Sequence, residues 1–456
     1  MARAAGFSLS SGAICYSLEP VSDATSSTDR LATRIMWGML VGLVLGCAAR
    51  AAAHFAPSFE APMIWMADKV FQPFGQIFLR LLFIVVVPLV FGSLALGVVQ
   101  LGSLSKLGPL AGRTFALFGV NMSIAVAMGL TMMTLLNPGG HIDPEVKDQM
   151  LAEFGSSAQE IKGKAEARGS VDLMFMVNMF LPANILKSVV EFQVLPLIVF
   201  ALLLGAAGTS LSEGHRARMQ TGLEILNELM VRIVHFALLL APYAVPAMIF
   251  GVVVKFGLSI LVSLGVFVAG VLFVMSLHLF VVMSLLLKLL SRRTPKQFFS
   301  AVRTVMITAF STSSSSATLP TSIQVAKEKL GVSSTTAGFV LPLGATLNMS
   351  GTALYEGCVV LFIAQAYGVE LGLLQSLTLL LLSVLSAVAV AGIPGGSLPL
   401  IVGLLSTFGV PGEGIILILG TDRILDMART TLNVSADLVT ACIVDDQLAA
   451  KVQASS

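Results

Sequence analysis

The chain alternates between long apolar runs and short polar breaks. The first run spans about Ile35–His54. The second covers 75–101, and the third covers 109–137 and ends at Asn137-Pro138-Gly139-Gly140. A polar stretch, 138–170, carries Asp143, Glu145, Asp148, Glu153, Lys162, Lys164 and Arg168. The fourth run, 171–208, is broken by Pro182 and Pro196; the fifth covers roughly 219–252 and the sixth 257–290. Runs of ~20 residues or more predict membrane-spanning helices rather than the ten-residue alternation of a transmembrane barrel. Beyond residue 297 the pattern changes. Polar or Gly/Pro-rich patches interrupt apolar sequence at Ser311–Ser316, Asn348–Thr352 and Ala391–Ser397. Non-helical backbone at membrane depth is tolerated where protein or a water-filled cavity surrounds it, and repeated breaks of this kind point to a transporter binding site.

Composition narrows the function classes. Of 456 residues, 56% are hydrophobic and 11% charged, against about 25% charged in a soluble domain. A soluble enzyme, a nucleic-acid binder and a disordered chain are all excluded. The net charge of +2 leaves no electrostatic footprint for nucleic acid. Cys15, Cys47, Cys358 and Cys442 have no metal spacing, and the five histidines are scattered. No Gly-x-Ser-x-Gly elbow is present, so an intramembrane hydrolase has little to stand on, and the chain is expected not to be an enzyme. No repeated selectivity filter supports a channel.

Positive residues in short segments set the expected orientation. Arg30, Arg34, Lys106, Arg113, Arg216, Arg218, Lys288, Arg292, Arg293 and Lys296 fall on one side if the N-terminus is cytoplasmic. Lys327 and Lys329 join them if residues 297–326 dip into the membrane and return. Residues 1–33, rich in Ser, Ala and Thr, read as a disordered cytoplasmic tail, with a misassigned start as the alternative.

The last apolar segment carries the strongest chemical signal. It reads Asp422-Arg-Ile-Leu-Asp426-Met-Ala-Arg429-Thr430-Thr-Leu-Asn433-Val-Ser-Ala-Asp437. At about 100° per residue, Asp422, Asp426, Arg429, Asn433 and Asp437 share one ~80° stripe some ~22 Å long. Each Asp or Arg at a helix centre costs ~2.5–3.5 kcal/mol to insert, so such residues face a cavity and mark an ion or substrate path. The bland reading is an amphipathic helix with a solvated face. The apolar flanks Ile415–Leu419 and Leu438–Val444 argue against it.

Two further patches add to this. Asn348-Met-Ser350-Gly351-Thr352 reads either as unwound backbone whose carbonyls coordinate a cation or as a Gly kink at a helix contact. The serine run 311–316, flanked by apolar residues, and the Gly/Pro patch 391–399 both predict re-entrant hairpin tips.

These patches, in this order, resemble the dicarboxylate/amino acid:cation symporter family. The resemblance covers about residues 35–447 and includes Pro88-Leu-Val-Phe91, Asn137-Pro138-Gly139, Gln193-Val-Leu-Pro196 and Pro342-Leu-Gly-Ala-Thr-Leu-Asn348. It implies an all-α polytopic membrane protein with eight transmembrane helices and two re-entrant hairpins, arranged as an inverted-repeat elevator. It also implies a homotrimer in the cell membrane, in contact with lipid. The implied divisions are scaffold helices at 34–108 and 171–256, a transport-domain helix at 109–137, an extracellular loop at 138–170, the rest of the transport domain at 257–447 and a cytoplasmic tail at 448–456.

The resemblance assigns roles residue by residue. Arg429 holds the side-chain carboxylate of the substrate, and Asp426 holds its ammonium. Asn433 with Ser314 and Ser315 hold the α-carboxylate. Thr352 and Thr430 complete the pocket, Gly396 and Ser397 close the gate, and Asp422 orients Arg429. Asp437, Asn433, Asn348 and the Gly344 carbonyl make one Na⁺ site, and carbonyls of Thr346, Ala387, Val388 and Val390 make another. Hard oxygens suit such an ion. No cofactor is implied besides the coupling ion, Na⁺ or H⁺.

An acidic amino acid uses both Arg429 and Asp426. A C4-dicarboxylate or a neutral amino acid is the alternative substrate, and an anion channel is the alternative class. The sequence departs from the family pattern at Ser350, where an Asp is usual, and at Asn121-Met122, where a hydroxyl pair is usual. Those departures predict fewer coupling cations, with two Na⁺ or a proton in place of one. In the first hairpin, Ser313 stands where some members have Arg, with Arg423 placed to compensate.

Overall fold

The computed structural model describes residues 21–104, 108–142, 181, 183–190, 194–257, 259–390 and 395–455. Among these residues the fold is helical throughout, with no strand. Six of the described helical stretches are long and apolar enough to cross a membrane: Thr33–Ala53, Glu60–Gln100, Leu110–His141, Glu213–Lys255, Ile260–Leu290 and Ser334–Ala366. Large apolar side chains such as Trp37, Val44, Ile77, Phe236 and Phe273 stand exposed on their outer faces, as lipid-facing positions do.

Helix α1 spans Val21–Phe55. It begins inside the tail expected to be unstructured. No Pro or Gly interrupts residues 21–37, so nothing stops the helix from propagating outward from the span. Residues 1–20 lie outside the described residues. Helices α2 (Glu60–Met66) and α3 (Gln72–Phe83) lead into α4 (Val86–Leu104). The break at Ile84–Val85 lies four residues before Pro88, which has no N–H to offer the Ile84 carbonyl. Helix α5 (Pro109–Leu136) ends at Asn137, whose left-handed φ of 42° makes the predicted stop. The polar stretch expected to be extracellular lies largely outside the described residues, as do 171–180.

Helices α6 (Ile185–Val190), α7 (Val194–Thr209) and α8 (Glu213–Phe256) follow. Helix α9 (Ser259–Leu277) continues through a π-helical turn, His278–Val282, into α10 (Met283–Leu290). Two helical hairpins then alternate with longer elements. Helices α11 (Pro295–Thr312) and α12 (Ser315–Glu328) form the first hairpin. Helices α13 (Ser334–Leu347) and α14 (Ser350–Ala366) are one span interrupted at Asn348-Met349. Helices α15 (Leu373–Ala389) and α16 (Leu398–Thr407) flank the second tip, of which Ala391–Pro394 lie outside the described residues. Helix α17 (Ile416–Ser455) closes the chain and runs through the segment expected to be a C-terminal tail.

Packing separates two groups of helices. Helix α1 lies along α8, α4 lies along α7, and α3 and α4 both rest on α8. Helix α5, although it comes early in the chain, packs on α14, α9 and α15 instead. Helix α17 is surrounded by α9, α11, α12, α13 and α14. Every residue from Ser350 to Ala364 is buried, so α14 is the central strut of this second group.

Candidate functional site

The charged stripe of α17 faces inward. Asp422, Asp426, Arg429, Asn433 and Asp437 are all buried, and Arg429 is 3% exposed. Its side chain is held by its own helix. Nε donates to Asp426 Oδ1 at 2.8 Å, and a terminal nitrogen lies 3.4 Å from Asp422 Oδ1. Tyr355 of α14 completes the cage: its hydroxyl donates to Asp422 Oδ1 at 2.8 Å, and its ring lies 4.8 Å from the guanidinium carbon. A cation over an aromatic face gains further in a dry site. Asp426 also accepts from the backbone N–H of Gly395, at 3.1 Å, in the second hairpin tip. Gly396 and Ser397 beside it are buried, and the Ser397 hydroxyl has no partner among the described residues.

One turn along α17, Asn433 pins the start of α14. Its Oδ1 accepts from Gly351 N–H at 2.7 Å and Thr352 N–H at 3.3 Å, and its Nδ2 donates to the Thr352 hydroxyl at 3.1 Å. Gly351 is required here. A Cβ on it would stand 2.5 Å from the carbonyl oxygen of Arg429, closer than such contacts allow. The Asn-Met-Ser-Gly-Thr patch is therefore both a break in the span and a close helix contact, so each of the two readings of it holds in part. Thr430 is buried on the same helix.

Two turns past Arg429, Asp437 accepts from Asn348 Nδ2 at 2.9 Å. Its carboxylate rests against Gly344, where a Cβ would collide with it. The Gly344 carbonyl accepts from the Asn348 N–H, and Asn348 Oδ1 is buried without a partner among the described residues. One carboxylate, an unpartnered amide oxygen and a nearby carbonyl form a hard oxygen set that fits a small hard cation. The second predicted set is less gathered. Thr346 is exposed and its hydroxyl donates to the Leu343 carbonyl within α13, while Ala387 and Val390 are buried and Val388 is half-buried at the end of α15. Helices α13 and α15 do pack on each other.

The first hairpin turns at Ser313, which adopts a left-handed φ of 49°. Ser314 caps α12 by accepting from Ala317 N–H at 3.2 Å, and Ser315 is buried. The hairpin packs against α17. Ser350 is buried, with its hydroxyl unpartnered among the described residues. Asn121, on α5, pairs instead with a histidine: its Oδ1 lies 3.0 Å from His278 Nε2 in the π-helical turn. Arg423 lies 3.9 Å from Asp426.

Against this geometry, the chain matches the model of the sodium:dicarboxylate symporter family over residues 31–447. The chain belongs to that family. It is similar to the proton/glutamate-aspartate symporter of Escherichia coli (strain K12), with 30% identity over 414 residues, 91% of this chain and 92% of that protein. It is 32% identical to the proton/sodium-glutamate symport protein of Bacillus caldotenax over 412 residues, 90% of this chain and 93% of the other. A C4-dicarboxylate transport protein of Anaeromyxobacter sp. (strain K) is 31% identical over 412 residues, 89% of this chain and 87% of the other.

This member of the symporter family carries two further buried groups on α14, Tyr355 and Glu356. Tyr355 leaves no signal, because an aromatic in an apolar helix looks like core. Glu356 does leave one, as the sole acidic residue between Glu328 and Glu370. It is fully buried with no ion-pair partner among the described residues, and the Ser386 hydroxyl lies beside it. An intramembrane carboxyl without a counter-charge at hand is a functional candidate by itself.

Proposed function

We propose that this symporter imports an acidic amino acid, aspartate or glutamate, together with Na⁺ and H⁺. The observation that carries the reading is the buried Arg429–Asp426 pair, 2.8 Å apart. A substrate with a carboxylate and an ammonium enters such a pair by exchange of partners. Arg429 turns its planar fork to the substrate's side-chain carboxylate. Asp426 takes the ammonium, so neither buried charge is left alone. A neutral amino acid would leave Arg429 unmatched. The relatives named for glutamate and aspartate support this choice.

The remaining roles follow the same logic. Asn433, Ser314 and Ser315 receive the α-carboxylate, Thr352 and Thr430 line the pocket, and Gly396 and Ser397 close over it. Asp422 and Tyr355 orient Arg429. Asp437, Asn348, Asn433 and the Gly344 carbonyl hold one Na⁺; carbonyls of Thr346, Ala387, Val388 and Val390 hold the second. Ser350 offers no carboxylate for a third cation, and Glu356 takes a proton instead.

Charge supports this stoichiometry. The buried groups Asp422, Asp426, Asp437 and Glu356 oppose Arg423 and Arg429 and leave about −2 when all are ionised. A substrate of charge −1 with two Na⁺ and one H⁺ brings the loaded domain to neutrality. A neutral domain crosses lipid at the least electrostatic cost. The moving body comprises α5 and α9–α17, and α1–α4 and α6–α8 form the scaffold. The body works as an elevator in a homotrimer of the cell membrane, with both termini cytoplasmic.

Uptake of radiolabelled L-aspartate into proteoliposomes tests the reading. Accumulation is expected to require both inward Na⁺ and inward H⁺ gradients. A flux ratio of three Na⁺ per substrate overturns the ion assignment, and absence of uptake under any gradient overturns the substrate.

A further inference from the structure

Three donors surround Asp426, and they are not equivalent. Arg429 Nε lies at 2.8 Å and Gly395 N–H at 3.1 Å, whereas Arg423 stands off at 3.9 Å. Arg423 sits one turn before Asp426 on α17, with its side chain only 12% exposed. Its Nε is buried and has no partner among the described residues. A second guanidinium is thus held beside the same carboxylate without being fully used by it. Leaving a donor of that kind unmatched in a dry site is costly, so a state in which it closes on a carboxylate has a driving force.

That state arises when Arg429 turns to a ligand. Asp426 then loses its nearest cation, and an unpaired buried carboxylate is strongly disfavoured. An amino acid supplies its own ammonium at that point. A C4-dicarboxylate does not. We propose that Arg423 takes the place of the ligand's ammonium, closing on Asp426 when a C4-dicarboxylate is bound, so that one pocket carries both substrate classes. This inference rests on the reading of Arg429 and Asp426 given under Proposed function. Arg423 acts as a positioning residue through Asp426 and decides how strictly the ammonium is required.

The test compares aspartate and succinate uptake in proteoliposomes holding the full chain. Wild type is expected to accumulate both, each competing with the other. Arg423→Gln should weaken succinate at least about tenfold more than aspartate, since truncating one partner leaves the other charge buried. Arg423→Lys should retain succinate. Adding Asp426→Asn to Arg423→Gln should restore succinate and abolish aspartate, because the orphaned carboxylate is then gone and with it the partner of the ammonium. That rescue is one a merely structural arginine cannot give, and it does not depend on the single variant reaching the membrane in full yield. A wild type that accumulates aspartate but ignores a large excess of succinate overturns the proposal. So does an equal loss of both ligands in Arg423→Gln with no rescue in the double variant. A wild type that carries succinate but not aspartate overturns instead the acidic amino acid reading beneath it.

Discussion

Helix α17 takes part in two clusters, in each of which one arginine bridges two of its aspartates, and they are built for different ends. Near its C-terminal end, Arg293 from the α10–α11 connection meets Asp445 at 3.5 Å and Asp446 at 2.7 Å. Its other hydrogens go to backbone: Nε donates to the Leu330 carbonyl and a terminal nitrogen to the Cys442 carbonyl, each at 3.0 Å. Asp446 accepts from Arg292 N–H and the Ser291 hydroxyl, and Asp445 accepts from Ser333 N–H. Three segments remote in sequence are tied at one point, with each charge satisfied from several sides. The Arg429 cluster draws both its aspartates from its own helix. Among the described residues, the Arg429 side chain donates only to Asp426 and Asp422, and Tyr355 is its one aromatic contact. Among these residues no remote backbone carbonyl fixes it. The first cluster is a staple. The second can exchange partners without the fold coming apart.

The sharpest way to break this comparison is to remove each arginine in turn. Arg429→Cys should cut aspartate uptake more than about 100-fold, the scale of a truncated buried charge pair. Its melting temperature in detergent should change little, because Asp422 keeps Tyr355, and Asp426 keeps Gly395 and gains Arg423 from its 3.9 Å standoff. Arg293→Ala should do the reverse, costing roughly 1–3 kcal/mol of stability while the aspartate KM of the folded fraction stays near wild type. Loss of transport and stability together in both variants would show that the two clusters do not differ as argued.

One of these clusters is far more legible in the sequence than the other. Charges spaced along an apolar helix are visible as a stripe, because a 3.6-residue period puts them on one face. The stripe is legible for that reason, and the two hairpins and the break at Asn348 because polar, Gly or Pro residues interrupt apolar sequence; each is a local pattern. The staple is not, because it joins Arg293, Leu330 and Asp446 through tertiary contacts that no period encodes. Tyr355 is hidden for a similar reason. Its role depends on α14 lying against α17, and that contact is set by Gly351, whose missing side chain reads only as a possible kink. The start of α1 at Val21 escapes the sequence because a Ser/Thr-rich composition argues for a tail, while the absence of any helix breaker decides otherwise.

Gly351→Ala sharpens the comparison next. A methyl group pressed on the Arg429 carbonyl forces α14 off α17, an overpacking cost of about 1–3 kcal/mol. Because the working cluster straddles that contact, aspartate uptake should fall along with stability, and the Arg293 staple should not compensate. An alanine variant with wild-type uptake would mean that α14 and α17 separate more easily than their packing indicates.

Glu356→Gln addresses the proton alone. The amide cannot release or take a proton, so uptake driven by an inward pH gradient should disappear. Exchange of internal for external aspartate should survive, since that mode needs no return of the empty carrier. Measuring the two modes side by side separates a proton carrier from a packing residue, which would lose both.

The smallest expected effect is that of Tyr355→Phe. The ring, and with it the cation–π contact to Arg429, is kept, and only the hydroxyl bond to Asp422 is lost. A single hydrogen bond of this kind is worth about 1.5–3 kcal/mol when its partner is charged. Part of that is recovered because Arg429 can shorten its own 3.4 Å approach to Asp422. Such a shift draws the guanidinium away from Asp426 and from the ligand, so the aspartate KM should rise by roughly tenfold, the equivalent of about 1.4 kcal/mol, with stability nearly unchanged. An unaltered KM would mean that Asp422 holds Arg429 without help from α14, and the working cluster would then be more self-contained on α17 than the staple it is compared with.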